Sequence, residues 1–241
     1  MALPLPKQIL YHNGRYIMEI KNITKSYGKK QVLKDISFTV PEDKGICIGI
    51  LGGNGSGKST LLNILAGIRK ADSGSFTFDG KNLLSDTKAR TSLTGYVPQS
   101  TPLLEELTAA DNLRLWYTKD EIVRECNGGV LEMLGVNGFL KTTVSKMSGG
   151  MKKRLAIGCS VAHKPRILFL DEPSAALDLV CKESICDYLR DFRKRGGIII
   201  IATHDIQEIP LCDVLYILRD GTLHEYEYDN NPAKLIEELK K

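Results

Sequence analysis

At 241 residues, 42% of them hydrophobic, the chain carries enough apolar material for one large domain or two small ones. A formal net charge of +4 is too small to argue for a nucleic-acid partner by itself. No stretch approaches the roughly 20 apolar residues of a membrane span, and the first eight residues hold prolines and no apolar signal core, so a soluble cytoplasmic chain is expected. The six cysteines, at 47, 126, 159, 181, 186 and 212, show no C-x-x-C spacing. Several sit inside apolar runs, the pattern of reduced, buried thiols.

In chain order, residues 1–17 read as loosely structured. Met18-Glu19-Ile20 opens a strand pattern, and residues 33–40 alternate apolar and polar like a half-buried strand. A turn is expected at 41–45. Residues 46–51 form a continuous apolar run, the loop GGNGSGKST fills 52–60, and 61–67 are apolar at helical spacing and end in glycine. Strand, glycine-rich loop and helix with the spacing G-x-x-x-x-G-K-S make a phosphate-binding P-loop. Glycines at 52, 53, 55 and 57 are expected to turn their N–H groups inward, in a conformation costly to residues with a Cβ. Together with the helix N-terminus those groups cradle an anion. Lys58 would reach the β- and γ-phosphates, and the Ser59 hydroxyl would ligate Mg²⁺. The motif alone says nucleoside triphosphate and no more. Residues 75–78 then read as a strand before an Asp79-Gly80 turn, so antiparallel β structure is expected beside a parallel core.

From 99 to 164 the pattern is mostly helical, with helices expected at 107–116 and 129–134. Within it, Met147-Ser148-Gly149-Gly150-Met151-Lys152-Lys153-Arg154 leads into a helical stretch at 155–161. Ser148 is a good N-cap and the two glycines leave amides exposed, which makes a second anion-binding helix terminus. The basic groups at 152–154 and 190–195 fit solvated helix faces. The apolar run 166–170 ends in Asp171-Glu172. Asp171 is placed to hold Mg²⁺ opposite Ser59, and Glu172 to polarise a water aimed at the γ-phosphate. A charged helix at 187–195 joins this run to a second one at 198–202, an order that implies parallel strands with a crossover helix. His204 comes just after the second run, at the strand end where α/β sheets bind ligands, and can donate a hydrogen bond to the γ-phosphate. A hairpin is expected around Arg219-Asp220-Gly221-Thr222, and a last amphipathic helix from Asn231-Pro232. The chain thus offers two phosphate sites and one catalytic set, which a dimer resolves: each serine–glycine turn closes on its partner's nucleotide.

Taken together, these motifs resemble the nucleotide-binding subunit of ATP-binding-cassette (ABC) transporters, from Met18 to about Tyr228. The resemblance implies an α/β fold: a P-loop NTPase core with a mainly parallel sheet, an N-terminal antiparallel β subdomain and a helical insertion. It implies one domain over 18–241, with 18–98 and 165–241 as the nucleotide-binding core, 99–164 as the helical signature subdomain, and 1–17 as an extension. ATP would lie on Gly52, Gly53, Asn54, Gly55, Ser56, Gly57, Lys58, Ser59 and Thr60, with Tyr27 stacked on adenine. Ser59, Gln99 and Asp171 would hold Mg²⁺, while Glu172, His204, Gln99 and Lys58 would carry hydrolysis. Ser148, Gly149 and Gly150 would contact the partner subunit's ATP, and Asp178 lies in the loop that crosses to the partner. A homodimer or heterodimer would then drive a membrane-spanning subunit from the inner face of the cell membrane. Leu103, Leu104, Leu107 and Trp116, beside Gln99, are either contacts for that subunit or core of the insertion. Met151 stands where many members have glutamine, and with residues 107–113 it is similar to exporters; Gly53 replaces a common proline. The alternative, a soluble ABC ATPase acting on ribosomes or nucleic acid, usually carries two cassettes or long coiled-coil insertions. This chain has neither, and no nucleic-acid partner is expected. The serine–glycine signature argues against a P-loop kinase, the lack of Asn-Lys-x-Asp against a GTPase, and intact Glu172 and His204 against a non-hydrolysing cassette.

Overall fold

A computed structural model describes residues 16–41, 45–175 and 177–240. Most of the extension expected at 1–17, and residues 42–44 of the expected turn, lie outside them. The elements are β1 (Tyr16–Tyr27), β2 (Lys30–Pro41), β3 (Ile46–Leu51), α1 (Lys58–Leu65), β4 (Ser73–Phe78), β5 (Lys81–Asn82), α2 (Thr87–Leu93) and β6 (Thr94–Val97). Then come α3 (Ala109–Arg114), α4 (Lys119–Glu125), α5 (Val130–Met133), α6 (Gly149–Ser160), β7 (Ile167–Asp171), α7 (Leu179–Lys194), β8 (Ile198–Ala202), β9 (Val214–Arg219), β10 (Thr222–Glu225) and α8 (Pro232–Lys240).

A six-stranded sheet runs β10-β9-β3-β8-β7-β6, parallel except for the β9–β10 hairpin. A second sheet, β2-β1-β4-β5, is antiparallel. The six-stranded sheet divides the core in two, because side chains alternate faces along a strand. Ile167, Phe169, Ile198 and Ile200 face α1 and the antiparallel sheet, where Leu61, Leu62, Met18, Ile20 and Phe76 pack on them. Leu168, Leu170, Ile199 and Ile201 face the helices that carry Leu113, Leu131, Leu155, Ile157 and Ile185. With both faces covered, β3, β7 and β8 are buried at every position, and their residues form nearly continuous apolar runs. The P-loop strand β3 lies between β8 and β9, so the glycine-rich loop at its end is anchored from both sides.

Several elements differ from the sequence expectation for local reasons. The helix expected at 107–116 is shorter, because a capping box starts it: Thr108 Oγ1 accepts from the Asp111 N–H at 3.2 Å, and Asp111 Oδ2 from the Thr108 N–H at 3.3 Å. The helix expected at 187–195 begins earlier, at Leu179, capped by Asp178 and buried through Cys181, Ile185, Tyr188, Leu189 and Phe192. Four short elements, β5, α2, β6 and α4, were not expected. The β6 pattern is weak in itself and becomes a strand through pairing with β7. Thr108→Ala should remove a cap while leaving the core intact, lowering stability by about 1 kcal/mol. Urea unfolding should show a lower midpoint with an unchanged slope.

The cysteines are free thiols, five of them buried and Cys212 half-buried. Burial pushes Cys159 up to about 12 and Cys186 up to about 11, so both stay protonated and inert.

Candidate functional site

The loop after β3 is shaped by close approach. A Cβ at Gly52 would meet the Leu218 carbonyl and the Ser56 hydroxyl at 2.7 Å each. Gly57, at φ +110°, caps α1 in the left-handed region. Gly53 corrects the expectation: it has no left-handed φ, and nothing lies within 4 Å of where its Cβ would be. The turns fall at the neighbouring glycines, so position 53 does not require one.

Lys58 begins α1 and is 6% exposed. Its ammonium donates to the carbonyls of Gly52 at 2.7 Å and Gly53 at 3.1 Å. Burial lowers its pKa, and the carboxylates of Glu172 and Asp171 oppose that shift. Asp171 ends β7 and is 3% exposed. Burial pushes its carboxyl up, countered by the hydroxyl of Ser59 beside it. Its Oδ1 has no hydrogen-bond partner among the described residues.

Glu172 takes a left-handed backbone, φ +48°, uncommon for a residue with a long side chain. Its N–H still bonds the Ala202 carbonyl at 2.8 Å, so the chain leaves the sheet at this residue. Gln99 Nε2 donates to Glu172 Oε2 at 2.9 Å, and His204 Nδ1 lies 3.2 Å from Glu172 Oε1. Gln99, Glu172 and His204 come after β6, β7 and β8, three adjacent parallel strands, and the P-loop comes after β3, the next strand over. One crevice at the C-terminal edge of the sheet therefore collects Lys58, Ser59, Gln99, Asp171, Glu172 and His204.

At the second helix terminus the serine caps as expected, whereas Gly150 is buried rather than left exposed. Ser148 Oγ accepts from the Met151 N–H at 3.3 Å and caps α6, whose first residues are Gly149 and Gly150. A Cβ at Gly150 would press on the Cys181 sulfur at 2.5 Å, so glycine lets α6 and α7 approach. Asp178 Oδ1 accepts from the Cys181 N–H at 2.9 Å, which holds its carboxyl below the usual range. Asp178 is thus the cap of α7 as well as part of an exposed loop. Tyr27 ends β1, partly exposed, with Lys25 and Arg69 at 5.7 and 5.6 Å from its ring centroid. Its described ring contacts are with these cations, not with the glycine-rich loop.

Sequence reasoning missed two features. Lys153, read as part of a solvated basic face, is 5% exposed and turned inward, and the cluster is not a solvated face. It lies three residues after buried Gly150 and four before buried Ile157, the spacing that marks an inner helix face. Behind His204, the Lys182 ammonium and the Ser174 hydroxyl both donate to Asp205 Oδ2. Burial pushes that carboxyl up, but these donors and the Gln207 N–H outweigh it and hold it below its ordinary value.

The family model for ABC transporters matches residues 33–175. The chain is 34% identical over 213 residues to a linearmycin resistance ATP-binding protein of Bacillus subtilis (strain 168), covering 86% of this chain and 68% of the relative. It is 31% identical over 225 residues to a lantibiotic transport ATP-binding protein of Streptococcus pyogenes, covering 92% of this chain and 95% of the relative. Proteins named for export and for import both occur among its relatives. A solved dimeric ATP-binding cassette in a post-hydrolysis state, bound to ADP and Pi, superposes with a TM-score of 0.77 at 29% identity, covering 87% of this chain and 98% of that one. Fold, motif order and relatives agree: the chain belongs to the ABC transporter family, as an ATP-binding, ATP-hydrolysing cassette.

Proposed function

We propose that two such cassettes, identical or homologous, close face to face on two ATP molecules and so power export through a membrane-spanning subunit. The observation that carries this reading is the convergence of Gln99, Glu172 and His204 beside Lys58 and Ser59, while Ser148 caps a different helix, α6. Each nucleotide would lie on residues 52–60 of one subunit, with Tyr27 against adenine, and under Ser148, Gly149 and Gly150 of the other. Asp178 would reach the partner from the start of α7. Glu172 would take a proton from the attacking water, and His204 would donate to the γ-phosphate. Each charge-assisted hydrogen bond to phosphate contributes about 1.5–3 kcal/mol. Several of them depend on the terminal phosphate, so ATP holds the pair closed and ADP releases it.

The residues fit Mg²⁺. The buried Asp171 Oδ1 lacks a partner, and the Ser59 hydroxyl lies beside that carboxylate. Among the described residues no three His, Cys, Asp or Glu side chains converge on a metal position. Ser59, Asp171 and Gln99 would therefore share the ion with the phosphates, as Mg²⁺ commonly requires. The chemistry it would supply there is charge neutralisation on the phosphoryl oxygens.

Among the described residues no helix is long and apolar enough to cross a membrane. The expected contact residues divide: Leu103 packs on the helical core and Leu107 is half-buried, whereas Leu104 is 48% and Trp116 62% exposed. Leu104 and Trp116, with exposed Leu115, offer the apolar surface for a membrane subunit on the inner face of the membrane. A photocrosslinker at Trp116 should capture an integral membrane protein that reconstitutes ATP-driven transport with this chain. The same probe at exposed Ile68, beyond α1, should not. Equal capture from both positions would sink the assignment of this surface. Export is favoured by Met151 and by relatives named for export.

A further inference from the structure

Lys153 sits on the second turn of α6, and its ammonium donates to two consecutive carbonyls, Pro98 at 3.1 Å and Gln99 at 3.0 Å. Those carbonyls lie just past β6, where the chain leaves the sheet. The side chain of the same Gln99 touches Glu172 at 2.9 Å. One buried cation therefore holds the backbone of the residue whose amide holds Glu172.

Burying an ammonium against neutral carbonyls is costly, and an apolar side chain of similar length would fill the space more cheaply. Burial lowers the Lys153 pKa, and Asp171, Glu208 and Glu172 act in the opposite sense, so the carboxylates nearby favour its charged form. The neighbouring cations are engaged elsewhere: Lys152 with Glu105, and Arg154 with the Leu134 carbonyl. Of the three, only Lys153 bridges α6 to the crevice.

We propose that Lys153 is a positioning residue that ties helix α6 to Gln99 and thereby sets how Gln99 holds Glu172. This rests on the reading above, in which Glu172 is the general base and the N-terminus of α6 meets the partner's nucleotide. On that reading, any shift of α6 when its serine–glycine end engages the partner is passed through Lys153 to the other site's base. The two nucleotide sites are thus coupled by a charged link one side chain long, and hydrolysis depends on it without any contact between Lys153 and its own subunit's nucleotide.

The test compares Lys153→Met, Lys153→Arg, Gln99→Ala and the Lys153→Met/Gln99→Ala double variant in the full chain, with ATP and Mg²⁺. Lys153→Met should lower kcat about 10- to 100-fold, the size of effect a displaced base produces. Its ATP Kd should stay within about threefold of the parent. Because the link acts through Gln99, the double variant should turn over no more slowly than Gln99→Ala alone. Lys153→Arg, which keeps the charge and the donors, should recover most of the rate. Effects that multiply in the double variant, or a Lys153→Met enzyme with parental kcat, would overturn the proposal. So would loss of ATP binding in Lys153→Met and Lys153→Arg alike, since Lys153 would then be a packing residue. Glu172→Gln separates the two levels. If it hydrolyses ATP at the parental rate, the reading of Glu172 fails; if it is inactive while Lys153→Met keeps the parental rate, only the link fails.

Discussion

Glu172→Gln slows ATP hydrolysis by roughly 100- to 10,000-fold, the usual worth of a positioned general base, and leaves ATP binding close to the parent. The substitution keeps the shape of the side chain and removes its ability to accept a proton. Its neighbours can stay, because an amide oxygen still accepts from Gln99 Nε2, which lies 2.9 Å from Oε2. The glycine-rich loop at 52–60 and the Lys58 ammonium are untouched. ATP should therefore bind and remain uncleaved, and the closed pair should accumulate. Single-turnover hydrolysis, an ATP titration and gel filtration with ATP and Mg²⁺ report these three quantities separately. A variant that binds ATP and yet elutes as a monomer at high protein concentration would remove the shared-nucleotide dimer. A variant with undiminished turnover would move the base elsewhere in the crevice.

How much of the molecule is legible in its sequence depends on how local each requirement is. A phosphate cradle needs glycines, a lysine and a hydroxyl within a few residues of each other, so the pattern at residues 52–60 is visible in the sequence alone. The strand ending in Asp171-Glu172 and the one leading to His204 are readable because strands covered on both faces are apolar throughout. Lys153 is not readable in the same way. Three basic residues in a row suggest solvent, and only the helix phase relative to Gly150 and Ile157 shows that the middle one faces inward. The left-handed backbone at Glu172 carries no signal in residue type, since glutamate there is unfavourable and is held by the surrounding sheet. The early start of α7 is hidden when Asp178 is taken only as part of a crossing loop, although an aspartate before a helical pattern also signals a cap. Strand β6 depends on its partner β7 rather than on its own sequence.

Two inactive variants should restore each other if the site is shared between subunits. Lys58→Ala removes the phosphate cation and keeps the serine–glycine turn. Ser148→Arg blocks that turn at an exposed position, away from the core, and keeps the P-loop. Alone, each should lose roughly 100-fold in turnover, comparable to deleting one preorganised contact to a charged transition state. In a mixed dimer one site combines both defects, whereas the other combines an intact P-loop from the Ser148→Arg subunit with an intact turn from the Lys58→Ala subunit. Random pairing of equal amounts makes half the dimers mixed, each with one working site of two, so activity should return to about a quarter of the parental rate. Affinity tags of two kinds confirm that mixed dimers are present. If such dimers form and remain inactive, either the site belongs to one chain or both sites must be whole for either to turn over. Mixing Glu172→Gln with the parent decides between these. A mixed dimer there has one intact composite site, and its loss of all activity would establish strict coupling, whereas half-activity would leave a site confined to one chain as the remaining explanation.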